Sequence, residues 1–103
     1  MLYKMIIPKG ISDSNEIRLL EWHLSPGSTF ETGSLILEIE TQKAIVEIRA
    51  QQSGILRKMY HHEGEWITLE KEIMLALFSD EPSDSLPTNI EELPMINVDI
   101  NII

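Results

Sequence analysis

Leu35-Ile36-Leu37-Glu38-Ile39-Glu40-Thr41-Gln42-Lys43-Ala44-Ile45-Val46-Glu47-Ile48-Arg49-Ala50 is the stretch that decides the fold. Leu35, Leu37 and Ile39 alternate with Ile36, Glu38 and Glu40, and Val46, Ile48 and Ala50 alternate with Ile45, Glu47 and Arg49. A period of two turns one face inward and the other toward water, which is the pattern of a half-buried strand. Two such strands meet with almost nothing between them, so the connection is a tight hairpin with Gln42 and Lys43 at its corners. Neither residue is Gly, Asn or Asp, which favour the primed hairpin turns. A type I turn tolerates both, with a poorer match to strand twist. Lys43 is therefore expected to project into water from a rigid base.

The rest of residues 1–79 extends this reading. β-rich segments are expected at 2–7, 17–23, 28–30, 35–40, 45–50, 54–60, 65–68 and 73–78. Pro8, Gly10, Pro26, Gly27, Gly33, Gly54 and Gly64 punctuate them. Long helical stripes are missing. A repeat at an offset of 37 residues sets Trp22 against Met59, Gly27 against Gly64, Phe30 against Ile67 and Ile36 against Ile73, while Leu20 and Arg57 do not match. A sandwich of two similar halves would explain the repeat; coincidence is the alternative. The fold class expected is all-β, a flattened barrel or sandwich of two antiparallel sheets with pseudo-twofold halves.

Composition narrows the function. The 103 residues suit one domain, which buries about 60–65% of its unfolded surface and leaves little material for an enclosed active site. With no cysteine, disulfides and thiolate metal sites are excluded. The net charge is −9: residues 1–79 hold all 8 Lys and Arg and 11 of the 17 acids, and residues 80–103 hold 6 acids and no base. That balance argues against nucleic acid or an anionic membrane as partner. No apolar run approaches the ~18–20 residues of a membrane span. The start of the chain shows no signal or transit peptide, and a cytoplasmic location is expected.

Residues 80–94 have the composition of an acidic linker. Beyond them Ile96, Val98, Ile100 and Ile102 alternate with Asn97, Asp99 and Asn101. Residues 95–103 would fold back as an edge strand, add to a partner's sheet, or fray.

No other motif carries chemistry. His61 and His62 are neighbours on a strand and would point to opposite faces, so no metal site is expected there. Glu38 and Glu40 share a strand face without an implied pocket. Trp22 and Trp66 are read as core or rim packing. No phosphate-binding glycine loop or nucleophile motif is present. Taken alone, Lys43 is a polar residue on a turn, and spacing assigns it no modification.

Glu40-Thr41-Gln42-Lys43-Ala44 nevertheless resembles the attachment motif of the biotinyl/lipoyl domains, whose lipoyl members usually carry Glu-Thr-Asp-Lys-Ala. Ile7-Pro8 stands where that family has Met-Pro, Trp22 where it has Trp, and Gly27, Gly33, Ser53-Gly54 and Glu63-Gly64 at its glycine-bearing turns. The resemblance covers residues 4–78 and is greatest to the lipoyl domains of 2-oxo acid dehydrogenase acyltransferases. The chain departs from the pattern at Gln42 and Ser28, where the family has Asp, at Ile17, where it has Gly, and in residues 80–103, which are unlike the usual Ala/Pro linker.

The resemblance implies a stand-alone, non-catalytic carrier with lipoate attached covalently to Lys43, and Glu40, Thr41, Gln42 and Ala44 as the recognition hairpin. Acylation would neutralise the lysine and move the charge from −9 to −10. The implied partners are a lipoate ligase or octanoyl-transfer enzymes, a thiamine-diphosphate-dependent decarboxylase, an acyltransferase and a flavin dihydrolipoamide dehydrogenase. Docking is expected around residues 38–48. Biotin domains usually flank their lysine with methionines, and Gln42 and Ala44 stand in those places. A biotin carrier for a carboxylase and an unmodified interaction module are the alternatives.

Overall fold

A computed structural model describes residues 1–7, 11–12, 15–69, 73–82, 85 and 92–103. The positions expected as turns at Pro8 and Gly10, and linker residues 83–84 and 86–91, lie outside the described residues. Among the described residues there are nine strands: β1 (Leu2–Ile6), β2 (Glu16–Trp22), β3 (Thr29–Phe30), β4 (Leu35–Glu40), β5 (Ile45–Ala50), β6 (Gly54–Met59), β7 (Trp66–Thr68), β8 (Met74–Ser79) and β9 (Val98–Ile102). They build two antiparallel sheets, one ordered β1-β8-β6-β3 and the other β7-β2-β4-β5-β9. The all-β sandwich is as the alternation predicts.

The 37-residue repeat is a real structural symmetry. Ile17 pairs with Ile67 and Arg18 with Trp66 in one half, and Gly54 pairs with Phe30 and Ile55 with Thr29 in the other. Each member is shifted by 37 from its counterpart. The Gly27 N–H donates to Leu56 O at 2.7 Å, and the Gly64 N–H donates to Leu19 O at 2.7 Å. Both glycines have left-handed φ, 90° and 87°, where a side chain would strain the backbone. Leu20 and Arg57, the pair that breaks the repeat in sequence, both sit at bulges: the register shifts between Leu19 and Glu21 and again between Leu56 and Lys58. A bulged residue is left out of the ladder, so the two halves are free to differ there.

The symmetry also shows what each half adds. β4 and β8 correspond, and so do β5 and β1. In one half the Glu40–Ile45 pair is closed by the hairpin carrying Lys43; in the other, the Leu2–Ser79 pair joins residues distant in the sequence. Among the described strands β9 has no counterpart.

The inner faces supply the core. Ile17, Leu19, Ile36, Leu37, Ile39, Leu56, Leu75, Ala76 and Phe78 are fully buried. Phe30 meets Phe78 edge to face, with centroids 5.4 Å apart. Trp22 is buried and its indole N–H donates to His61 O at 3.0 Å, while Trp66 lies on the rim, 64% exposed. One detail departs from strict alternation. A register shift between Leu35 and Leu37 buries Ile36 as well as Leu37, and Leu35 is only half-buried. The bulge breaks the period of two, so Ile36 joins the core although its sequence phase assigned it outward.

Residues 92–103 wrap the side of the sandwich. The Lys4 N–H donates to Pro94 O and the Ile96 N–H to Lys4 O, both at 2.9 Å, along β1 at the edge of one sheet. β9 then pairs with β5 at the edge of the other, from Ala50–Val98 to Val46–Ile102. Ile96, 4% exposed, fills the seam between the two edges and belongs to the core. Gln51 and Gln52 hold the entry to β9: the Gln51 N–H donates to Asn97 O at 2.9 Å, the Asn97 N–H donates to Gln52 Oε1 at 3.1 Å, and the Gln51 amide contacts Asp99.

Candidate functional site

The hairpin between β4 and β5 presents Gln42 and Lys43 as its two exposed corner residues. No non-glycine residue among those described has positive φ, so the turn is not of the primed types. Its closure is unusual in that a side chain substitutes for backbone. The Thr41 N–H donates to Ala44 O at 2.8 Å. The returning bond goes from the Ala44 N–H to the Thr41 hydroxyl at 3.2 Å, and that hydroxyl donates to Ala44 O at 3.0 Å. Thr41 thus fastens the mouth of a turn whose geometry matches strand twist poorly. A rigid base is left under Lys43.

Thr41 also divides the surface at the tip. On one side Glu16, Glu40, Thr41, Gln42 and Trp66 line a depression of about 420 Å³. On the other, Ile11, Ser12, Thr41, Lys43, Ala44, Val46 and Ile102 line a groove of about 390 Å³. The sequence-predicted residues therefore separate: Glu40 and Gln42 face the acidic side, Lys43 and Ala44 the apolar side. At Gln42, an Asp would add a third carboxylate beside Glu16 and Glu40. The neutral amide avoids that repulsion. Sequence reasoning missed Ile11 and Ile102, because they reach the tip from the β1–β2 connection and from the far end of the chain. Only the alternation of residues 96–102 hinted at the second.

Behind the tip the outward face of the larger sheet is acidic. Glu21, Glu38 and Glu47 lie in one cross-strand row. Like charges placed opposite each other repel, and His23 and Arg49 lie against the row. His23 Nε2 lies 2.5 Å from Glu38 and 3.1 Å from Glu21, and Arg49 Nη2 lies 3.4 Å from Glu47. Ligand atoms of Glu21, His23 and Glu38 fall within 4.8 Å of one another. His61 and His62 meet Glu65 instead: His61 Nδ1 lies 2.7 Å from Glu65 Oε2, and the His62 backbone N–H donates to Glu65 Oε1 at 3.0 Å. The hydrogen bond with His61, with that backbone N–H next, holds the Glu65 carboxyl below its ordinary range.

A two-sheet sandwich with related halves, and an exposed lysine at the tip of the β4–β5 hairpin, is the arrangement on which comparison with known proteins bears. A model of the family described as biotin-requiring enzyme matches residues 4–75. The chain belongs to this biotin/lipoyl attachment family. Its relatives include the dihydrolipoyllysine-residue succinyltransferase component of the 2-oxoglutarate dehydrogenase complex from Rickettsia conorii, 32% identical over 73 residues, which are 71% of this chain and 18% of the relative. The component of the same name from Bacillus subtilis is 31% identical over 61 residues, 59% of this chain and 15% of the relative. The pyruvate dehydrogenase complex protein X component of Chaetomium thermophilum is 39% identical over 49 residues, 48% of this chain and 11% of that protein. The chain thus spans less than a fifth of the length of these relatives. It is an attachment domain similar to domains of 2-oxo acid dehydrogenase components, in a family of generally non-catalytic carriers.

Proposed function

We propose that this domain carries a lipoyl group in amide linkage to Lys43 and serves as a non-catalytic shuttle among the enzymes of a 2-oxo acid dehydrogenase system. The observation that carries this reading is the Lys43 hairpin: an exposed lysine on a turn fastened by Thr41, at the end of the sandwich away from the Leu2–Ser79 pair. The surroundings fit an acyl-lysine. Ala44 is small and Gln42 is exposed, so neither flanking side chain blocks the approach of a modifying enzyme. The relatives named for a dihydrolipoyllysine residue favour lipoate over biotin.

When attached, a lipoyl group supplies a dithiolane that takes up an acyl group together with two electrons. The chain's own part is positional. Thr41 holds the hairpin mouth, the paired strands hold Thr41, and the tether raises the concentration of one reactive group at several active sites. The row of Glu21, Glu38 and Glu47 steers docking around residues 38–48 toward partners with a basic rim. Under this reading a lipoate ligase or octanoyl-transfer enzyme modifies Lys43. A thiamine-diphosphate-dependent decarboxylase, an acyltransferase and a flavin dihydrolipoamide dehydrogenase then use the arm, in the cytoplasm.

Intact-mass measurement of the protein from cells with an active lipoylation pathway tests this. We expect a lipoyl increment that disappears in Lys43→Arg. An unmodified chain, or a biotinyl increment, refutes it.

A further inference from the structure

We infer that the groove of Ile11, Ala44, Val46 and Ile102 is a resting site for the aliphatic arm carried on Lys43, so that the arm is seated on the domain between visits to partners. The inference rests on the carrier reading above, and its chemistry comes from β9. Val98, Ile100 and Ile102 pair with Ala50, Ile48 and Val46, all three of which face the core. Paired residues share a face of the sheet, so the β9 side chains continue the core-facing surface. Cover diminishes along the strand: Val98 is partly buried, Ile100 is 40% exposed and Ile102 is 75% exposed. At Ile102 the inner face of one sheet emerges into water beside the hairpin tip, and Ile11 lines the same groove.

The occupant follows from what lines the groove. Lys43 is one of its walls, so a chain attached there begins inside it. Acylation removes the lysine charge, which would otherwise keep that wall hydrated. The volume of about 390 Å³ falls among those that hold small ligands, ~300–1,000 Å³. Tethering makes seating intramolecular, so weak apolar contacts suffice. The depression across Thr41 is the poorer choice. Glu16 and Glu40 line it, an alkyl chain there would desolvate their carboxylates, and Lys43 is not among its walls. A partner enzyme would then have to draw the arm out, and β9 would set how readily it leaves.

The chain has no cysteine, so Lys43→Cys provides a unique attachment point that needs no ligase. Coupling octyl methanethiosulfonate to it places an alkyl chain at the tip. We expect NOEs from the octyl methylenes to the methyls of Ile102 and Ile11, and none to the Trp66 ring. In Ile102→Asp the NOEs to the Ile11 methyls should vanish while the amide spectrum of the body stays unchanged. Ile102→Thr, which keeps a β-branched strand residue, should weaken them as well. In the lipoylated wild-type protein, reduction of the dithiolane by a water-soluble phosphine should be at least about threefold slower than in lipoylated Ile102→Asp, about 0.65 kcal/mol of protection. An octyl chain with no NOE to Ile102 or Ile11, or equal reduction rates, overturns the inference. A modified Lys43 with an unseated arm removes the resting site and leaves the carrier reading standing. A seated octyl adduct on a chain that cells never lipoylate does the reverse.

Discussion

Replacing Ile96 by alanine tests whether residues 92–103 are part of the folded body or a strap laid over it. Ile96 is 4% exposed and sits in the seam between β1 and β5, with its N–H bonded to Lys4 O. The substitution deletes three carbons. At about 0.8 kcal/mol per buried methylene the transfer loss is about 2.4 kcal/mol. A cavity adds to this, and the full range for Ile→Ala in cores is about 2–5 kcal/mol. The Ile96 segment is held on one side by a short bridge to Lys4, so it can move inward and relieve part of the cavity. We therefore expect about 2–3 kcal/mol. With a urea m-value of about 2 kcal/mol/M for a chain of this size, the midpoint should fall by about 1–1.5 M. Ile100→Ala, at a position 40% exposed, should cost less than about 1 kcal/mol. The assay is urea unfolding followed by Trp22 fluorescence, because Trp22 is buried in the body and reports global unfolding. A shift no larger than that of Ile100→Ala would refute the reasoning. It would mean the tail undocks alone, and β9 amides would then exchange far faster than those of β4.

Thr41→Val should lower stability by about 0.5–1.5 kcal/mol and speed hydrogen exchange at the Ala44 amide, because that N–H loses its acceptor while the side-chain shape is kept; unchanged exchange at Ala44 counts against the role given to the hydroxyl. Gly27→Ala and Gly64→Ala should each cost about 1–2 kcal/mol and by similar amounts, since both have left-handed φ in symmetry-related turns with open space around the added carbon; thermal melts giving clearly unequal losses would contradict the equivalence. The Glu65 carboxyl is held below its ordinary value of 4.5, so its contribution to stability is present above that value and is lost as pH falls through the lowered folded-state pKa. Glu65→Gln should accordingly flatten the acid side of the stability–pH curve and leave the slope above pH 5 unaltered, and an unchanged acid limb would contradict the His61–Glu65 linkage.

Much of the fold was legible in the sequence because a strand's period is local. Alternation and turn residues locate β1 to β8 within a residue or two, and the chemistry of Gln42 and Lys43 indicates a non-primed hairpin. The 37-residue repeat was visible through four matched pairs, and its mismatch at Leu20 and Arg57 marked the bulges without explaining them. Alternation places Ile36 on the wrong face, because a register shift is a property of two strands and cannot be read from one.

Lys43 was identifiable from its motif as the attachment candidate, and its place on an exposed corner followed from the two strands flanking it. What surrounds it was a tertiary matter. Ile11, Glu16 and Ile102 come to the tip from separate parts of the chain, and it is their arrival that makes one side of the hairpin apolar and the other acidic. Residues 96–102 by themselves specified a strand but not its neighbour, since alternation states which face is apolar and leaves the partner open. The free edge of β5 and the seam filled by Ile96 supplied that partner, and so placed Ile102 beside Lys43.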